Sequence, residues 1–126
     1  MQLITGEWIA KAEGDFATAE RELSATEQPN YDAVCFHAQQ CVEKYLKAFL
    51  QEANIAFPRT HDLAGLLALV TTLQPTWTAM TPDLNALSAF AVEGRYPGES
   101  ADLNEAQEAF QKCTTVRQII RGALGL

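Results

Sequence analysis

The stretch Asn30-Tyr-Asp-Ala-Val-Cys-Phe-His-Ala-Gln-Gln-Cys-Val-Glu-Lys-Tyr-Leu-Lys-Ala-Phe-Leu50 decides the fold predicted from this sequence. It is built of helix-forming residues with no internal Gly or Pro. Asn30 is a good N-cap, because its side-chain oxygen can accept from amides of the first turn. Most of the apolar residues share one broad face at helical spacing, whereas Phe36 and Leu50 lie off that face. Apolar groups on two sides are typical of a central helix, so we expect the other helices to pack around it.

Apolar periodicity predicts further helices before and after this central one. The predicted segments are residues 5–24, residues 61–72, a short helix that opens at Thr81-Pro82, and residues 104–121. The predicted N-caps are Thr5, Thr60 and Asn104. No window shows sustained period-two alternation, and there is no Asn-Gly or Asp-Gly hairpin signal. The sequence therefore predicts an all-α fold, an antiparallel up-down bundle of four to five helices in a single domain of residues 1–126.

Composition narrows the class of protein. Hydrophobic residues make up 48% of the chain and charged residues 20%, which is ordinary for a soluble globular domain. The net charge of −7 disfavours a protein whose main task is to coat nucleic-acid backbone, although a small basic site is compatible with it. No apolar run is long enough to span a membrane and no signal peptide is recognisable, so we predict a cytoplasmic protein without membrane contact. Three cysteines are predicted to be buried thiols in a reducing compartment: Cys35, Cys41 and Cys113.

A polar stripe runs along the remaining side of the central helix and is the first candidate site. It consists of His37, Gln40, Lys44 and Lys47. The alternative is a solvated face on which Glu43 and Lys47 form an i,i+4 ion pair.

The second candidate is Arg59-Thr60-His61-Asp62 at a predicted helix start. A His beside an Asp at a helix start can act as a general base or contact a phosphate. The alternative is a simple cap formed by Thr60 and Asp62, with His61 exposed in the first turn.

The third candidate is the loop Gly94-Arg95-Tyr96-Pro97-Gly98. Its Arg offers a bidentate fork for phosphate and its Tyr a stacking surface, both on turn-forming backbone. The alternative is a tight interhelical turn in which Tyr96 packs and Arg95 caps a helix C-terminus.

The motifs of common enzyme classes are missing from the chain. It has no phosphate-binding GxxxxGK[ST], no dinucleotide GxGxxG, no HExxH, no GxSxG and no Cys/His cluster with metal-ligand spacing. We therefore predict no cofactor and no metal site.

Several stretches together resemble the HEPN family (higher eukaryotes and prokaryotes nucleotide-binding). They are Trp8-Ile-Ala-Lys-Ala12 with Asp15, Tyr31 to Ala48, Thr60-His-Asp-Leu63 and Arg95-Tyr-Pro97, and they span roughly residues 7–121. The resemblance implies a compact helical bundle that often forms a homodimer. It also implies a partner, a minimal nucleotidyltransferase, in pairs that often act as toxin and antitoxin.

For the ribonuclease branch of the family, the resemblance implies metal-independent cleavage by an Arg and a His with four to six residues between them. This sequence departs from that motif, because none of its five arginines has a His at that spacing; Ser100, Ala101 and Asp102 stand where Arg95 would need one. The resemblance implies that the candidate nucleotide- or RNA-binding residues of this sequence are His37, Lys44, His61, Arg95 and Tyr96.

Three functions remain open at this point. The first is a nucleotide- or RNA-binding protein that acts with a minimal nucleotidyltransferase. The second is a metal-independent ribonuclease with a rearranged site, in which His61 or His37 is the general base and Arg95 contacts the phosphate. The third is a dimerisation module without chemistry, with an outer apolar patch that includes Phe36 and Leu50.

Overall fold

A computed structural model describes residues 1–91 and 96–126 of the chain. Within these ranges the chain forms five α-helices and one 3₁₀ helix, which confirms the predicted all-α bundle. The α-helices are α1 Leu3–Leu23, α2 Tyr31–Glu52, α3 Leu63–Val70, α4 Thr81–Ser88 and α5 Leu103–Ala123, and the 3₁₀ helix Pro75–Met80 precedes α4. No helix in the described part of the chain is long and apolar enough to cross a membrane.

The central position predicted for α2 is confirmed. Most of its residues are buried, and it packs against α1, α3, α4 and α5. Asn30 caps it as predicted, since its side chain accepts from the Ala33 amide. Leu50 is fully buried, so its place in the predicted outer apolar patch is wrong, whereas Phe36, the other residue of that patch, is half-buried.

The direction of each long helix follows from its end contacts. The backbone amide of Gln2 at the start of α1 donates to Glu52 at the end of α2, so these helices run antiparallel. The Ala101 amide, just before α5, donates to Asp32 at the start of α2 at 2.7 Å. Helices α2 and α5 therefore run parallel, and α3, the 3₁₀ helix and α4 return the chain between them, as in an up-down bundle.

Three predicted helix starts are wrong because a carboxylate or an interhelical contact takes the place of the expected cap. Asp62 and not Thr60 caps α3, and Asp102 and not Asn104 caps α5; each side chain accepts from an amide three residues later. Helix α1 begins at Leu3, so Thr5 lies inside it, where its hydroxyl donates to Glu52 Oε1 at 2.9 Å.

The prediction of buried thiols is confirmed, because Cys35, Cys41 and Cys113 are all buried and none of them forms a disulfide. Cys41 on α2 and Cys113 on α5 are in contact, and this contact together with burial raises the pKa of Cys41 well above its usual value. Both side chains therefore act as small apolar residues of the core.

A charged network joins α1, α2 and α5. Glu13 on α1 accepts two hydrogen bonds from Arg117, at 2.7 and 2.6 Å, and one from the Tyr45 hydroxyl at 2.7 Å. Arg121 donates to the same hydroxyl at 3.0 Å. The hydrogen bonds from Arg117 lower the pKa of Glu13 although partial burial opposes them, and burial raises the pKa of Tyr45 to about 12.

This network predicts a pH dependence of stability. The pKa of Glu13 lies below its ordinary value of 4.5 in the folded protein, so the unfolded chain binds more protons as the solution is acidified. The ionised Glu13 contributes about 1 kcal/mol to the free energy of unfolding after solvent screening. This stabilisation is fully present above the ordinary pKa and is lost as the pH falls through the pKa of Glu13 in the folded protein. Urea unfolding should show that Glu13→Gln is destabilised at neutral pH and that the gap to wild type narrows in acid. The exposed Glu27→Gln is the control; an equal pH profile for both variants would contradict the prediction.

Candidate functional site

The structure brings His37 and Lys44 together on α2, and Asp15 of α1 lies between them. His37 Nδ1 is 2.7 Å from Asp15 Oδ1, and Lys44 Nζ is 2.5 Å from Asp15 Oδ2. Asp15 is almost fully buried, whereas the two basic side chains keep about a fifth of their surface exposed. This part of the polar stripe is therefore an interhelical ion cluster with an accessible edge.

His61 lies in the extended segment just before α3 and is held by a different carboxylate. Its Nδ1 is 2.7 Å from Glu43 Oε1 on α2. The His61 side chain is 64% exposed, whereas the Glu43 side chain is only 4% exposed. A buried carboxylate at Nδ1 orients the imidazole and leaves Nε2 free to meet a ligand from solvent.

Glu43 is surrounded by donors that keep it charged inside the protein. Lys47 Nζ lies 3.0 Å from Oε2, and Gln39 Nε2 lies 3.2 Å from Oε1. Burial alone would raise the pKa of Glu43, but the hydrogen bonds from His61, Lys47 and Gln39 outweigh it and lower the pKa. The interpretation of Glu43 and Lys47 as a solvated surface pair is wrong, because α1 and the segment before α3 cover both residues.

Gln39 and Gln40 connect the stripe to His61. Gln40 Nε2 donates to Gln39 Oε1 at 2.7 Å, and Gln39 Nε2 donates to the backbone oxygen of His61 at 3.3 Å. Gln39 is fully buried and therefore fixes both the carboxylate and the backbone that carry the exposed imidazole. Sequence reasoning missed Gln39 and Asp15 as site residues; the spacing of residues 39, 43 and 47 on one helix face is the signal that points to Gln39.

Of the two loop candidates, only Tyr96 belongs to the described residues. Arg95 lies outside the described residues. Tyr96 is 81% exposed, and its side chain forms no hydrogen bond with a described residue. Within residues 1–91 and 96–126, no group of three or more His, Cys, Asp or Glu side chains is arranged to hold a metal ion.

Comparison with known proteins agrees with this arrangement of helices. The HEPN domain family model matches residues 5–123, so the chain belongs to the HEPN domain family. The fold is similar to that of TT1696 from Thermus thermophilus, with a TM-score of 0.80 at 21% identity, covering 94% of this chain and 96% of that one. It is also similar to ST0689, an archaeal HEPN homologue, with a TM-score of 0.76 at 23% identity and the same coverage. A search of the curated proteins finds no match.

The buried Glu43–Lys47 pair generates a prediction about stability. Glu43→Leu leaves the Lys47 ammonium buried without its carboxylate, which should destabilise the protein by about 3 kcal/mol. The double variant Glu43→Leu with Lys47→Met removes both charges and should recover most of that loss. Urea unfolding measures both effects. A Glu43→Leu variant as stable as wild type would show that the two charges are not coupled.

Proposed function

We propose that this HEPN protein binds a nucleotide or an RNA segment, and that His61 is the residue that contacts its phosphate. The observation that carries the proposal is the contrast between the buried Glu43 and the exposed imidazole that it holds at 2.7 Å. The hydrogen bond at Nδ1 restricts the conformations of the His61 side chain, while the rest of the ring stays accessible to a ligand. Protonated His61 donates Nε2–H to a phosphate oxygen.

We include further basic groups in the proposed site. Arg59, two residues earlier, is exposed and forms no ion pair with any described residue. Lys44 and His37 present the accessible edge of the Asp15 cluster. We include Arg95 and Tyr96 in the site because they match the family's Arg-Tyr-Pro segment. A local basic site of this kind is compatible with a protein of net charge −7, since ligand binding depends on nearby groups.

Calorimetric titration with ribonucleoside monophosphates and a short single-stranded RNA tests this proposal. His61→Ala should weaken binding about tenfold or more, because a charge-assisted hydrogen bond to phosphate is lost. Arg95→Ala should abolish binding with an unchanged melting temperature. Gln118→Ala and Arg21→Ala are exposed controls that should bind as wild type does. Wild-type affinity in His61→Ala would refute the assignment of His61, and a large stability loss in Arg95→Ala would indicate a structural role for that residue.

A second candidate function is metal-independent RNA cleavage, which the same Glu43–His61 pair favours. A carboxylate at Nδ1 and a free Nε2 are the arrangement of a general base, and in its neutral form His61 would take the proton of a ribose 2′-hydroxyl. In this reaction Arg95 would stabilise charge on the phosphate.

This candidate predicts that RNA is cleaved in the presence of EDTA and that cleavage disappears in His61→Ala. His37→Ala separates the two histidines, because His37 is tethered to Asp15 and less exposed. Cleavage that is equal in wild type and both histidine variants would come from a contaminant. RNA binding without cleavage would leave only the first proposal.

We further propose a minimal nucleotidyltransferase as partner, a homodimer as the assembled form and the cytoplasm as location, with a toxin–antitoxin role for the pair. These proposals rest on the family resemblance, and three buried thiols agree with a reducing compartment. A nucleotidyltransferase reading frame beside this gene, and its co-purification with the chain, are the corresponding tests.

A further inference from the structure

An open groove runs along one face of α1. It is lined by Ile4, Glu7, Trp8 and Lys11, whose spacing places them on one face of the helix. Its walls are mainly apolar, and the half-buried indole of Trp8 is their largest element.

Trp8 is held in place by two contacts from other elements. The ring of Phe57 meets it edge-on, with centroids 6.1 Å apart and an interplanar angle of 66°. Lys47 Nζ lies 5.5 Å from the centroid of the indole. Because Lys47 is paired with Glu43, and Glu43 with His61, the indole and the exposed imidazole are attached to the same buried carboxylate. Three successive contacts of 5.5, 3.0 and 2.7 Å connect the indole to the imidazole, and a short oligonucleotide can span a separation of this size.

The polar side chains that line this groove fit the same class of ligand. Lys11 is exposed and forms no ion pair with a described residue, so its ammonium is available to a backbone phosphate. Glu7 is exposed beside it, and a carboxylate accepts from the exocyclic amino groups of bases. An aromatic face, a free cation and an acceptor in one groove match the needs of a nucleotide with an unpaired base.

We propose that Trp8 is the platform on which a base of the bound nucleotide or single-stranded RNA stacks, with Lys11 contacting the adjoining phosphate. The proposal rests on the proposed function and specifies its ligand: the base must be unpaired, because a base inside a duplex offers no open face. Stacking of this kind tolerates any base, so the contact with Trp8 should itself show little sequence preference.

Tryptophan fluorescence tests the platform directly, because the chain has two tryptophans in different environments. Trp77 is buried against Phe49, with ring centroids 4.9 Å apart, and should not sense the ligand. Titration with adenylate should quench the wild-type emission, and the quenching should vanish in Trp8→Phe and persist in Trp77→Phe. Quenching that persists in Trp8→Phe, or adenylate binding in calorimetry without any quenching, would overturn the platform.

Calorimetry with a ligand that lacks the base separates this inference from the proposed function. Trp8→Leu should weaken adenylate about tenfold and leave ribose phosphate unchanged, whereas His61→Ala should weaken both. Equal weakening of both ligands by Trp8→Leu, with the melting temperature unchanged, would show that Trp8 does not contact the base. If binding depends on His61 and not on Trp8, the stacking proposal is refuted and the proposed function stands. If wild type binds neither adenylate nor single-stranded RNA, both proposals fail.

Discussion

A helix that is largely covered by other helices leaves few of its polar groups to water, so the buried ones need partners from a neighbour or from the helix itself. Helix α2 is in this position, and it still carries His37, Gln39, Glu43, Lys44 and Lys47. The partners are Asp15 on α1, His61 before α3 and other side chains of α2 itself. No buried side-chain N or O atom in the described part of the chain lacks a hydrogen bond. The positions of Asp15 on α1 and of His61 before α3 both follow from this requirement.

The two histidines differ in how much of the side chain is exposed to solvent. His37 lies between α1 and α2, where Asp15 holds it with Lys44 and most of its surface is covered. His61 comes from an extended segment, and its ring meets α2 only through Nδ1, so most of the side chain faces solvent. A residue that joins helices contributes mainly to stability, whereas an oriented and exposed one is suited to meet a ligand. This difference is why the proposed function depends on His61 more than on His37.

Glu43 connects stability with the proposed site. Its carboxylate is shared between Lys47, which reaches toward Trp8, and His61, which faces solvent. A change at this carboxylate would therefore alter the fold and the orientation of the imidazole together. A second network, formed by Glu13, Tyr45, Arg117 and Arg121, joins α1, α2 and α5. Its members bind one another, and none is an exposed imidazole held by a buried carboxylate as His61 is.

The sequence by itself determined the all-α class, the central role of residues 31–52, the Asn30 cap and the burial of the cysteines, because helical periodicity and capping are local properties of the chain. It also singled out His37, Lys44 and His61 as polar residues of interest. Only the tertiary structure decided that Glu43 and Lys47 are buried and that Asp15 binds both His37 and Lys44. It also decided that Gln39 supports His61. The capping of α3 by Asp62 and of α5 by Asp102, in place of the expected residues, was likewise decided by the tertiary structure. These outcomes depend on which helix covers which face, and partners 18 to 29 residues apart, such as His61 with Glu43 or Lys44 with Asp15, meet only when the helices pack.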